Sequence, residues 1–127
     1  MWDTKRDFAR KARWGLDGHL TPNATLTFAV VVLHESVRIA FTHGAVLNNL
    51  DICAADIRNA CLQAPSSRKD YVMCGPEFGL ENIGNIALIH SALCSGKTAG
   101  RDVRNHLRAC MRHLDCTSCP MDPDVWM

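Results

Sequence analysis

Long apolar runs are missing from this sequence. The longest, Phe28 to Leu33, has six residues, whereas a bilayer-spanning helix needs about 20, so no transmembrane helix and no membrane partner are expected. The start, Met1-Trp2-Asp3-Thr4-Lys5-Arg6-Asp7, lacks the apolar core of a signal peptide, and an intracellular chain (cytoplasmic or nuclear, not secreted) is expected. No excess of one charge exists either. Lys plus Arg number 14 and Asp plus Glu 13, a net charge of +1. That excludes a strongly basic nucleic-acid arm or an acidic tail, though not a local basic patch. There is no internal repeat, low-complexity tract or interdomain linker. The 127 residues have room for one domain and hardly two. With 47% apolar and 21% charged residues, the composition is globular rather than disordered.

Cysteine, by contrast, is plentiful. Seven is an odd number, and without a secretory signal a full disulfide framework is not expected; reduced thiols fit better. Cys53 lies in an apolar stretch and reads as a small buried hydrophobe. His106, Cys110 and His113 are spaced four and three apart, which puts them on one face of a helix. Cys116 and Cys119 follow as a Cys-x-x-Cys pair. Together these five offer the sulfur and imidazole ligands that zinc takes. The spacing fits no standard finger, however, and no second Cys-x-x-Cys occurs; a helix with scattered His and core Cys is the plainer alternative.

Hydrophobic patterning sketches the local structure. Phe8, Ala12, Trp14 and Leu16 alternate with polar residues toward the end of Lys5–Leu16, which suits a strand exposed on one face. Asp17-Gly18 and Thr21-Pro22-Asn23 signal turns. Asn23-Ala24-Thr25 is formally a glycosylation sequon, without meaning in an intracellular chain. Phe28 to Leu33 is β-branched and apolar. Val37, Ala40, Phe41 and Ala45 form a stripe that predicts a helix over 35–47, weakened by Gly44 and ended by Asn48-Asn49. A buried strand is expected over Asp51–Ile57, a break at Pro65-Ser66-Ser67, and short strands over Tyr71–Cys74 and Ile86–Ile89. The strongest helix spans Thr98–Leu114, with Val103, Leu107, Cys110, Met111 and Leu114 on one side. Arg101, Arg104, Arg108 and Arg112 take the other. Such a face is normally solvated, although four arginines could also lie along a phosphate backbone. Asp122-Pro123 is a turn, and Asp124–Met127 begins an element that it does not complete.

Two stretches bear on chemistry. Ser91-Ala92-Leu93-Cys94-Ser95-Gly96-Lys97-Thr98 approaches a phosphate-binding loop but has Ser91 where the first glycine must make the tight turn. A lysine at a helix start could still meet an anion. Asp56 closes the apolar run Ile52-Cys53-Ala54-Ala55. A carboxylate there would be costly if buried alone; it suits a divalent cation or, from spacing alone, a capping role before the turn at Asn59. A two-metal site needs a second carboxylate nearby, and no Asp-Asp pair occurs in the chain.

Several blocks in order resemble the reverse transcriptase domain of copia-type LTR retrotransposons. Lys11-Ala12-Arg13-Trp14-Gly15-Leu16-Asp17-Gly18 is similar to that family's K-A-R-L-V-A-R-G finger strand. Thr27-Phe28-Ala29 with Ser36-Val37-Arg38 is similar to T-F-(A/S)-P-V…S-x-R. Asp56-Ile57-Arg58-Asn59-Ala60-Cys61-Leu62-Gln63-Ala64 is similar to D-V-K-x-A-F-L-x-G, and Leu93 to Val103 to L-Y-G-L-K-Q-A-P-R-A-W. Tyr71-Val72-Met73 with Pro76-Glu77-Phe78-Gly79 fits I-Y-M-x-x-P-x-G-F between them, and Asp122-Pro123 fits the D-P after the long helix.

The resemblance implies an α+β chain, residues 1–127, forming the fingers and part of the palm of a right-hand polymerase. The activity implied is RNA-directed DNA synthesis with two Mg²⁺ ions, on an RNA template, a DNA primer and dNTPs. Asp56 matches the first catalytic aspartate and metal ligand, and Ile57 the neighbour whose carbonyl joins the coordination. Cys61 matches the aromatic gate against a ribose 2′-hydroxyl. Lys11 and Arg13 lie on the strand that supplies cations near template and triphosphate, and Lys97 and Arg101 match basic positions beside the nucleotide pocket. There are departures. Cys61 replaces the gate aromatic, Cys94 and Ser95 replace the Tyr and Gly of L-Y-G, Val103 replaces Trp, and Cys116 stands where an aromatic is usual. The family's Y-V-D-D motif falls some tens of residues beyond Asp122-Pro123, past Met127. One of three catalytic carboxylates is therefore expected here, and a chain of this extent is expected to be inactive unless the other polymerase portions act in cis or in trans. Two alternatives of other kinds are a small zinc-binding module built on the His/Cys group, and a nucleic-acid-binding module using Lys11, Arg13 and the arginine face.

Overall fold

In the computed structural model, residues 2–4, 10–12, 15–20 and 27–127 are described. They form an α+β chain. Strand β1 (Trp2–Thr4) pairs antiparallel with β2 (Arg10–Ala12), setting Asp3 opposite Lys11. Helix α1 (His34–Phe41) continues into a wider, π-helical stretch, Thr42–Leu47. The short helix α2 (Ala60–Gln63) precedes β3 (Pro65–Met73), which pairs antiparallel with β4 (Ile86–Ser91); helix α3 (Ala99–His113) follows. Each sheet has two strands. No helix among the described residues is long and apolar enough to cross a membrane.

The β3–β4 hairpin forms where β-branched and aromatic residues alternate with small or polar ones. Tyr71 faces Leu88 and Met73 faces Ile86 across the ladder, all four on the exposed side. Asp70, Ile89 and Ser91 turn the other way, toward Leu16, Thr98 and Ala99 at the start of α3. Pro65 does not break the chain as expected but opens β3, since the first residue of a strand is a place where proline's missing N–H costs nothing. A register shift between Pro65 and Asp70 absorbs the irregularity. Two single 3₁₀ turns, Pro76–Phe78 and Leu80–Asn82, carry the connection to β4.

The core is small and lies between hairpin and helix. Its buried apolar residues are Ala64, Cys74, Ala92, Leu93 and Ala99, and Val103 packs against it. The whole chain exposes 10370 Å², where a compact chain of this length exposes roughly 6,700 Å².

Several expectations hold and several need correction. The helices over 35–47 and 98–114 and the strand at Ile86 are present with small shifts of boundary, the first turning π-helical from Thr42, while the strand expected over Tyr71–Cys74 begins already at Pro65. Asn49 ends the first helical segment in the left-handed region (φ 50°), as a terminating asparagine does. The strand expected over Asp51–Ile57 does not form: these residues have no regular structure and are exposed, Cys53 among them. A strand is stable only through its neighbours, and no described strand pairs with this one. The apolar run Phe28–Leu33 is likewise irregular, with Phe28 and Val31 largely exposed. Asp124–Met127 is not an unfinished element. It folds back on the end of α3: Thr117 and Met127 exchange N–H···O bonds of 2.8 and 2.9 Å, and Cys119 N donates to Val125 O. Phe8, Trp14 and the sequon at Asn23 lie outside the described residues.

Candidate functional site

The segment between β4 and α3 lies beside part of what the sequence singled out. Leu16 N donates to Cys94 O at 3.0 Å and Gly15 pairs with Cys94 in a parallel bridge. This approach is close enough to demand glycine. A Cβ on Gly15 would sit 3.1 Å from Cys94 O, and one on Gly18 would collide with the Ser95 carbonyl. Ser95 itself occupies the left-handed region (φ 67°). From the other side, Ala92 N donates to Ala64 O at 2.9 Å, which brings α2 beside the same loop. There burial, first, and then the neighbouring Cys94 thiol raise the Cys61 pKa.

The loop does not behave as a phosphate cradle, although a strand precedes it and a helix follows. Gly96 N is bonded to Leu93 O and Ala99 N to Gly96 O, so these amides are spent within the turn rather than aimed outward. The first turn of α3 instead holds a buried carboxylate that the sequence reading missed. Asp102 is 3% exposed. It accepts from Ser67 N at 3.2 Å and lies 3.6 Å from the Arg101 guanidinium, which also donates to the Ser67 hydroxyl at 2.6 Å. An acid in a first helical turn usually reads as a solvated partner of the helix dipole; only the tertiary neighbour β3 makes it structural.

The predicted site residues are distributed as follows. Lys11 lies on β2, and Arg13 falls outside the described residues. Cys61 and Lys97 border the β4–α3 loop, and Arg101 is tied back to Ser67. Asp56 and Ile57 stand apart on the irregular stretch, both exposed.

The arginine side of α3 is not a solvated face. Arg101 is held as above, and Arg104 Nε donates to both oxygens of Asp124 at 2.9 and 3.0 Å. Arg108 and Arg112 each lie over the Trp126 ring at 5.8 Å. Asp124 and Trp126 thus partly cover Arg104 and Arg108, Arg112 stays exposed beside Trp126, and Leu107 and Leu114 on the apolar side stay exposed. Of the zinc-like set, Cys110 Sγ and His106 Nε2 approach to 3.9 Å. No group of three or more His, Cys, Asp or Glu side chains suited to a metal occurs among the described residues.

A second buried acid, Asp122, joins distant parts. Its carboxylate accepts from Leu33 N at 2.9 Å, and from Asp124 N at 3.2 Å across its own turn. Leu33 is the N-cap of α1 and its side chain cannot cap the helix; Asp122 satisfies the Leu33 amide, the part that an N3 carboxylate plays in a capping box. The Ser36 hydroxyl, first, and then the Leu33 amide hold this carboxyl below the usual carboxylate range. The sequence showed Asp122 only as half of an Asp-Pro turn.

Comparison with models of known protein families, with curated proteins and with solved structures gives no match. Asp56 is exposed, and no group of three or more His, Cys, Asp or Glu side chains among the described residues includes it; a Mg²⁺ pair there would need further carboxylates.

Proposed function

We propose that this chain is the fingers and part of the palm of a copia-type reverse transcriptase, and that it does not polymerise alone. One observation carries the reading: residues from all four resembling blocks come together in space. Gly15 and Leu16 of the first block bond to Cys94 of the fourth. Ala64 of the third packs in one buried cluster with Ala99 of the fourth. In the second, Ala29 lies beside Gly100 of the fourth, within 3.5 Å of where a Cβ would stand. A nucleotide pocket assembled from those blocks requires such convergence.

Two measurements test the proposal. In a primer-extension assay with template, primer, dNTPs and Mg²⁺, the purified chain should incorporate nothing. Extension that disappears with Asp56→Ala would overturn the inactivity. Sequencing the transcript and locus past Met127 tests the kinship itself. A polymerase-like continuation, intact or eroded, with a Tyr-x-Asp-Asp or its remnant is expected; unrelated sequence there counts against it.

A further inference from the structure

We infer that His106 Nε2 and Cys110 Sγ form a two-donor site on α3 for a borderline-soft divalent cation, Zn²⁺ first among them, with water completing the coordination. This does not rest on the polymerase reading. The two residues stand one turn apart on the same helix, and their donor atoms approach to 3.9 Å. Tetrahedral zinc, with Zn–N of about 2.0–2.1 Å and Zn–S of about 2.3 Å, sets an imidazole nitrogen and a thiolate sulfur about 3.6 Å apart. A small rotation of either side chain closes the difference. The helix is fixed on both sides of the pair. Asp102, one turn before His106, accepts from Ser67 N of β3. Beyond Cys110, Leu114 N donates to Cys110 O and Cys116 N to Met111 O. The metal therefore meets donors that are already positioned, and little ordering is left to offset its binding.

The surroundings suit a cation. Cys110 lies in the last turn of a helix of 15 residues, where the macrodipole is negative. The four arginines of α3 are drawn elsewhere: Arg101 onto Ser67, Arg104 onto Asp124, and Arg108 and Arg112 over Trp126. Among the described residues no third His, Cys, Asp or Glu completes a group with the pair, so water takes the remaining positions. On binding, the Cys110 thiol gives its proton to solvent, sulfur and Nε2 each donate an electron pair, and waters leave the metal; nothing is oxidised or reduced. A nitrogen–sulfur donor set takes Zn²⁺, Co²⁺ or Cd²⁺ in preference to Mg²⁺ and Ca²⁺, which favour oxygen. The bound ion clasps the last two turns of α3.

The test titrates the full chain, kept reduced, with Co²⁺ and follows the thiolate-to-cobalt charge-transfer absorption. Zn²⁺ should displace the Co²⁺ and abolish the band, whereas Mg²⁺ in large excess should not. The band should disappear with Cys110→Ser and with His106→Gln. It should persist when Cys116→Ser and Cys119→Ser are combined, which removes the Cys-x-x-Cys pair. Cys110→His keeps two donors one turn apart, so Zn²⁺ binding, read by competition with a chromogenic chelator, should survive in that variant while the charge-transfer band is lost. For the parent chain the affinity should fall about tenfold as pH drops from about 8 to about 7, one thiol proton being released per ion bound. Zn²⁺ should also slow hydrogen exchange in the second half of α3. No band in the parent chain would overturn the proposal. So would a band that survives Cys110→Ser, or one lost when Cys116 and Cys119 are replaced, since the metal would then sit on other thiols.

Discussion

Two stretches of similar size behave in opposite ways. Between α2 and the middle of α3, residues 60–104 hold every buried apolar side chain described, together with Thr98 and Asp102. Residues 27–59 hold no buried residue at all, although they are as rich in apolar side chains. Phe28, Val31, Ile39, Val46, Leu47 and Ile52 all remain more than half exposed. The difference is not one of composition. The first stretch contains its own partners: a hairpin, a helix across it and small alanines that let them approach. The second offers a helix and two extended apolar runs with nothing of comparable area to pack on. Burial at about 25 cal/mol per Å² therefore accrues almost entirely to the first. Asp56, the residue on which the proposed chemistry depends, lies in the second.

Removing one acid from each stretch gives the largest expected contrast. Asp102→Ala leaves the Ser67 amide without its acceptor and the Arg101 guanidinium with the Ser67 hydroxyl alone, and should cost about 2–3 kcal/mol of unfolding free energy. Asp56→Ala should change stability by less than about 0.5 kcal/mol, as substitutions at exposed sites do. Urea denaturation of both variants decides it, and equal effects would erase the distinction between the two regions.

Glycine gives a second contrast, in which even the sign differs. Gly18→Ala drives a methyl into the Ser95 carbonyl and should destabilise by about 1–3 kcal/mol. Gly44→Ala meets nothing within 4 Å, and its helical setting should make it stabilising by about 0.5–1 kcal/mol. Thermal unfolding reads both, and a loss of stability in the Gly44 variant would show hidden packing around residues 42–47.

Acid should separate the regions too. Asp122 is ionised more readily folded than unfolded, so its contribution is fully present above the usual carboxylate range. It fades as pH falls through that range to the depressed folded value. Below it, the Leu33 amide and the start of α1 lose a charged acceptor while the Asp102 side of the molecule keeps its hairpin. Hydrogen exchange followed from about pH 5 down to about pH 3 should show Leu33–Val37 opening first. In Asp122→Asn that pH dependence should flatten, and an unchanged profile would mean that other carboxyls govern the acid limb.

Much of this architecture was legible in the sequence wherever the signal is local. α1, β4 and α3 come from periodicity within one element, and Asn49 from a backbone preference. What failed was non-local. A run such as Asp51–Ile57 has the composition of a strand, but a strand is a property of two segments. Cys53 was judged buried on the same assumption. The arginine side of α3 looked solvated because its covers, Asp124 and Trp126, come from a segment whose return could not be foreseen. The Leu33–Asp122 bond spans 89 positions, and no spacing rule reaches that far. For the site, the sequence singled out Cys61, Lys97 and Arg101 from their blocks, yet Asp102 left no local trace.

The smallest expected effect concerns that returning segment. Trp126 lies under two guanidiniums, each 5.8 Å from the ring centre, and is half-buried rather than enclosed. Cation–π attraction at such a site is worth about 0.5–1 kcal/mol. Leucine keeps much of the apolar contact but has no ring face to offer, so Trp126→Leu should cost about that much in urea denaturation. The loss should also release Arg108 and Arg112, whereas Arg104 stays held by Asp124. If α3 is a structural helix whose arginines are occupied by the chain itself, the variant should bind single-stranded RNA more tightly than the parent, with a steeper salt dependence. Tight, salt-sensitive RNA binding by the parent, unchanged in the variant, would show that the arginine face was open all along.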